Sequence, residues 1–215
     1  MAKVMITGIA GGFGRLTALA LLEKGQVVAG SVRSRQGRNA GTVGELEAAG
    51  ARIVEMDVTE TASTEAGVAE ANAALGGLDV LFNNAGIGSY GIQELMSPED
   101  MARIFDVNVM GVQIVMRAAL PHLGAQGFGI ESCIIEPGAM PTAFFDAMVA
   151  PNDPAREAEY GAFAQVPGSS GTRPARPETA CASAPVRMRN ACWATARHRM
   201  TAPSSVASSA SCVLD

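Results

Sequence analysis

An α/β fold with a doubly wound parallel sheet is what this sequence predicts, and three observations predict it. Short apolar runs closed by glycine or turn residues recur at 3–7, 26–32, 51–58 and 78–86. Stretches with apolar residues at helical spacing lie between them, at 15–25, 42–50 and 61–77. The first strand–helix junction, "TGIAGGFG" at 7–14, is rich in glycine. Strands that alternate with helices pair in parallel through right-handed crossovers, which places helices on both faces of one sheet.

Each element has its own signal. "KVMIT" is short and apolar, as suits a buried strand. "RLTALALLEKG" follows at helical spacing and stops at Gly25. "QVVAGSV" is the second strand, "TVGELEAAG" a short helix ended by Gly50, and "ARIVEMDV" the third strand. "TASTEAGVAEANAALGG" is a helix closed by glycine, and "LDVLFNNAG" the fourth strand. The next helix has a marked start in "SPEDMARIF". Ser97 can cap it, Pro98 suits the first helical position, and Glu99 and Asp100 favour its positive end. Its apolar stripe runs through Met101, Ile104, Phe105, Val112, Val115, Met116 and Ala119, with Asn108 on the same stripe. A buried amide must find partners, and the expectation is that Asn108 finds structural ones.

Composition narrows the function classes. A chain of 215 residues with 48% hydrophobic content suits one domain with a sizeable core. Its net charge of −5 is unevenly spread. Residues 1–167 carry ten basic and nineteen acidic side chains, whereas 168–215 carry six arginines against Glu178 and Asp215. An acidic body argues against nucleic acid as a partner. The opening "MAKVMITG" lacks the pattern of a signal peptide, and no window approaches the ~18 apolar residues of a spanning helix. A cytoplasmic protein without a membrane partner is expected. Cys133, Cys181, Cys192 and Cys212 show no CxxC spacing and His122 and His198 are the only histidines, so no metal site is expected.

From Gly168 the sequence turns to Ala, Ser, Arg, Cys and Pro, with one Leu and no Ile, Phe or Lys. So little large apolar material cannot offset the ordering entropy. Residues 168–215 are therefore predicted to be a disordered tail, or the product of a shifted reading frame, following a truncated nucleotide-binding domain at 1–167.

The glycine-rich "TGIAGGFG" makes the predicted sheet Rossmann-like. Gly8 permits a tight turn, and Gly12 and Gly14 let backbone and a helix N-terminus approach a pyrophosphate. Thr7 and Phe13, in the same motif, join the candidate set. The spacing is TGxxxGxG rather than GxGxxG. Four more pieces follow in order: "MDVTE" with Asp57, "NNAG" at 83–86, "DVNVMG" with Asn108, and "EPGAMPT" at 136–142, which fits PGxxxT. With these the chain resembles the short-chain dehydrogenase/reductase family over 3–123 and again over about 128–165. The resemblance implies an oxidoreductase by descent that binds a nicotinamide cofactor. Gly8, Gly12 and Gly14 would cradle the diphosphate, Asp57 and Val58 would bound the adenine, and Asn84, Ala85 and Gly86 would line the cofactor. Pro137, Gly138 and Thr142 would sit by its nicotinamide end. The resemblance also implies an oligomer interface built on the helix that carries Asn108.

Charge argues the choice of cofactor. A carboxylate after the second strand serves the 2′-hydroxyl of NAD, whereas an arginine accommodates the 2′-phosphate of NADP. "AGSVRSRQGRN" supplies Arg33, Ser34, Arg35 and Arg38, with no Asp or Glu between Glu23 and Glu45. The expectation is NADP(H) rather than NAD(H), with Arg33 and Ser34 in contact.

The catalytic half of the resemblance is missing. The family implies a Ser on a fifth strand and then YxxxK, in which the Lys tunes a Tyr acting as general acid or base. A phenol near pKa ~10 serves poorly at neutral pH without such tuning. The lysines here are Lys3 and Lys24, and neither Tyr90 nor Tyr160 has a Lys four residues on. "AQGFGIESCIIEPG" at 125–138 passes from a helix end into an apolar strand where a strand and crossover of about 30 residues should intervene. Ser132 begins its strand, whereas ligands bind at strand carboxyl ends.

The sequence thus reads as an NADP(H)-binding oxidoreductase by descent with its catalytic segment absent, Asn108 being the one residual catalytic position. Turnover is expected to be lost and the family interface disrupted. The strand at 132–136 is expected beside the fourth, giving the order 3-2-1-4-5. The alternatives are a working NADP-dependent carbonyl or alcohol oxidoreductase, and an interaction module acting through its basic tail.

Overall fold

The computed structural model describes residues 1–123, 130, 144, 148–150, 152–153 and 158–160. The expectations for 132–136, Pro137, Gly138, Thr142 and the 168–215 tail lie outside them. The described residues belong to one compact unit.

Element order is β1 (Lys3–Ile6), α1 (Gly12–Glu23), β2 (Val27–Val32), α2 (Ala40–Ala48), β3 (Arg52–Glu55), α3 (Thr61–Leu75), β4 (Val80–Phe82), α4 (Pro98–Phe105) and α5 (Gly111–Ala119). The described strands form one parallel sheet ordered β3-β2-β1-β4. Val4 pairs with Val28 on one side and Val80 on the other. Side chains alternate across a strand, so β1 feeds both faces. Met5 joins Val68, Ala71 and Leu75 of α3 and Val115 and Ala119 of α5 in one core cluster. Its neighbours Val4 and Ile6, also fully buried, point to the opposite face.

The third and fourth strands are shorter than the sequence suggests, and for the same reason. Beyond Glu55, the Asp57 N–H donates to Ser63 Oγ at 3.0 Å. Beyond Phe82, the N–H groups of Asn84 and Ala85 both donate to Thr7 Oγ1, at 3.0 and 2.9 Å. Side-chain acceptors take donors that a longer ladder would have used.

The helix after β4 starts as expected. Ser97 Oγ accepts from Asp100 N at 3.1 Å, and Pro98 opens α4. It is not one continuous helix, however. A π turn at Asp106–Met110 separates α4 from α5. One added residue shifts the phase of a helical stripe by about 100°, and the predicted stripe is split accordingly. Val115 and Ala119 are buried, while Phe105 is 57% and Met116 42% exposed. Asn108, expected within the buried stripe, is exposed within the π turn.

Candidate nucleotide site

In an open parallel α/β sheet, ligands bind outside the carboxyl ends of the strands. Here β1 ends in Thr7 and Gly8, and the chain turns at once into α1. Gly8 has φ 63°, and a Cβ there would meet Ala85 Cα at 3.0 Å. Gly14 is tighter, since a Cβ would lie 2.7 Å from both Gly8 O and Asn84 Nδ2. Only glycine fits both positions.

The turn is pinned from two sides. Toward β4, buried Thr7 receives the two N–H groups already named, and Asn84 Nδ2 donates to Thr7 O and Gly8 O at 2.9 and 3.1 Å. Toward β2, Ile9 N–H donates to Ser31 O at 3.0 Å and Gly8 N–H reaches Ser31 Oγ at 3.4 Å. Ser31, 1% exposed, carried no sequence signal beyond its place in a strand.

What this turn offers is an uncapped helix start. Gly11 precedes α1 without a side-chain cap, and the first turn holds no acid. The leading N–H groups of a helix and its dipole both favour an anion. Gly12 and Phe13 open that turn and are partly exposed. A tight glycine turn with no room for a Cβ at Gly8 or Gly14, leading into a helix start free of carboxylates, fits the diphosphate of a dinucleotide.

The remaining candidate residues divide. Asp57 Oδ1 accepts from Thr59 N at 3.0 Å and Thr59 Oγ1 at 2.7 Å, closing the turn after β3. Val58 is buried in the core cluster with α5. Ala85 packs against Gly8, and Gly86 is exposed beside Asn108, whose Oδ1 lies 3.3 Å from where a Cβ would be. Asn108 Oδ1 accepts from Ile87 N at 2.9 Å and its Nδ2 donates to Ile87 O at 2.7 Å. The amide thus holds the chain leaving β4, in agreement with a structural role.

The arginine cluster after β2 is not uniform. Arg33 and Ser34 are exposed, and Arg33 makes no ion pair among the described residues. Arg35 pairs with Glu47 of α2, and its N–H donates to Glu55 Oε1 at 2.7 Å. Carboxylates absent from the local sequence are therefore delivered by the fold. Arg15 is likewise engaged by Glu45, its Nε donating to Oε2 at 2.7 Å. That bond lowers the Glu45 pKa and raises that of Arg15.

Both lysines lie at the opposite end of the sheet. Lys3 begins β1 and its Nζ donates to Gly76 O, at the end of α3, while Lys24 closes α1. Tyr160 Oη donates to the Glu94 carboxylate. Among the described residues no group of His, Cys, Asp or Glu is arranged to hold a metal ion, and no helix is long and apolar enough to cross a membrane.

A parallel α/β sheet with a glycine turn at the head of its first helix defines a dinucleotide-binding type of fold. The family model for short chain dehydrogenases matches residues 2–140, and the chain belongs to that family of oxidoreductases, which bind a nicotinamide cofactor. It is 35% identical over 120 residues to a 3-ketodihydrosphingosine reductase of Bacteroides thetaiotaomicron, a match covering 56% of this chain and 41% of that enzyme. Among solved structures it is similar to a 3-ketoacyl-(acyl-carrier-protein) reductase from Brucella melitensis complexed with NADH. The TM-score is 0.52 and the identity 36%, over 56% of this chain and 49% of that one. A short chain dehydrogenase from Burkholderia cenocepacia in complex with NADP gives a TM-score of 0.51 and 31% identity, over 57% of this chain and 51% of that one. The chain thus spans about half the length of the relatives it matches.

Proposed function

We propose that this chain binds NADP(H) through its glycine turn and does not turn over a carbonyl or alcohol. Gly8, Gly12, Phe13 and Gly14 hold the diphosphate, Thr7 fixes the turn, and Asn84, Ala85 and Gly86 line the crevice. Asp57 and Val58 bound the adenine. Arg33 and Ser34 receive the 2′-phosphate. The chemistry such a cofactor supplies is hydride transfer. Hydride transfer to a carbonyl needs a proton donor at the oxygen, and a phenol needs a nearby cation to serve at neutral pH.

The observation that carries the reading is the contrast between an intact cradle and the lysines' position. Lys3 and Lys24 sit at the amino end of the sheet, about 10 Å of strand away from the turn. Neither tyrosine has a lysine four residues on, and Tyr160 Oη donates to the Glu94 carboxylate. Asn108 is committed to Ile87. The test is a paired titration with NADPH and NADH. Tighter NADPH binding, abolished as a preference by Arg33→Glu, is expected. Equal affinities, or no loss for Arg33→Glu, would contradict it. NADPH oxidation that depends on Asn108 or Tyr160 would favour the working-enzyme alternative.

A further inference from the structure

The cofactor corner holds a carboxylate that local sequence does not announce. Glu55, the last residue of β3, is paired in register with Val32, the last residue of β2. Its side chain is exposed, and Oε1 accepts the Arg35 N–H at 2.7 Å. It therefore stands at the strand end from which Arg33 departs. The guanidinium of Arg35, two residues on, is turned to Glu47 of α2. Of the cations after β2, Arg33 and Arg38 make no ion pair among the described residues. The local excess of positive charge is smaller than three arginines suggest.

Resting on the NADP(H) reading, we propose that Glu55 is a specificity-determining residue, a carboxylate at the strand end from which Arg33 departs that lowers this chain's preference for a 2′-phosphate. A phosphomonoester carries nearly two negative charges at neutral pH, so a carboxylate within a Debye length opposes it while leaving a 2′-hydroxyl unopposed. Glu47 acts in the same direction by occupying Arg35. The backbone bond fixes where the Glu55 charge sits, because a donor N–H holds the carboxylate at the strand end.

Glu55→Gln tests this cleanly, since an amide oxygen can still accept from Arg35 N–H while the charge is gone. The full chain is titrated with adenosine 2′,5′-bisphosphate and adenosine 5′-monophosphate, which report the phosphate without any hydride chemistry, and then with NADPH and NADH. Glu55→Gln is expected to raise the preference for the 2′-phosphate member of each pair by about threefold or more at low salt, with the gain shrinking as salt rises. Glu47→Gln should give a smaller gain that vanishes in the Glu47→Gln/Arg35→Ala double variant. A merely structural role would move the melting temperature and weaken both members of a pair equally. An unchanged ratio in Glu55→Gln overturns the inference whatever Arg33→Glu does. A ratio insensitive to Arg33→Glu overturns the NADP(H) reading separately.

Discussion

The glycine turn and the helix pair α4–α5 both adjoin β4, yet they are finished in opposite ways. At the turn, Thr7, Asn84 and Ser31 close a partly buried network in which each named donor has its acceptor. Along α4–α5 the apolar side chains continue past the buried Val115 and Ala119 onto the outer surface. Phe105, Val109, Met110, Met116 and Leu120 are between 42% and 57% exposed. The first region is complete within its own residues. The second leaves an exposed apolar patch of the kind that favours association. The glycine turn is thus closed by hydrogen bonds from β1, β2 and the segment after β4, whereas the α4–α5 pair leaves part of its apolar face exposed.

The largest effect is expected where the turn is tightest. Gly14→Val would drive carbon into Gly8 O and Asn84 Nδ2 and should cost about 1–3 kcal/mol of stability. NADPH binding should fall below detection in a titration run beneath the melting temperature. Retained binding would mean that the turn is looser than its contacts suggest. Next comes Thr7→Val, which keeps the shape but removes the acceptor of two backbone N–H groups. Leaving them unpaired should cost about 1–3 kcal/mol, measurable by urea unfolding.

On the other side of the comparison, Phe105→Ser and Met116→Ser should each change stability by no more than about 0.5 kcal/mol, because both side chains lie at the surface. The readout there is association. The unaltered chain should sediment as heterogeneous oligomers, and the double variant should shift toward monomer. A clean monomer before substitution would remove the contrast between the two regions.

The smallest effect belongs to the Arg15–Glu45 pair, which is solvent-exposed and screened. Its sign is nonetheless fixed. The folded pKa of Glu45 is lowered by the Arg15 bond, so its contribution is complete above the usual carboxylate range and disappears as pH falls through the lowered value. Glu45→Gln should therefore lower stability slightly at neutral pH and leave the acid end unchanged, which flattens the acid limb of the profile.

Much of the nucleotide side was legible because its signals are local. Gly8 and Gly14 announce a turn that tolerates no Cβ, and Ser97-Pro98 announces a helix start. Strand ends were less legible, since Thr7 and Ser63 divert donors through contacts that no periodicity reveals. The π turn at Asn108 was missed for a related reason, as helical spacing in the sequence assumes one constant period. The carboxylates on Arg35 were hidden because Glu47 and Glu55 come from elements 12 and 20 residues away. A charge reading confined to one loop sees only the arginines.

The most direct test of the central claim is the fluorescence of NADPH mixed with the full chain and a small ketone, followed over time. If the chain binds the cofactor but lacks a tuned proton donor, the signal should rise saturably with protein and then hold steady. A saturable rise followed by decay that scales with protein concentration would contradict the account.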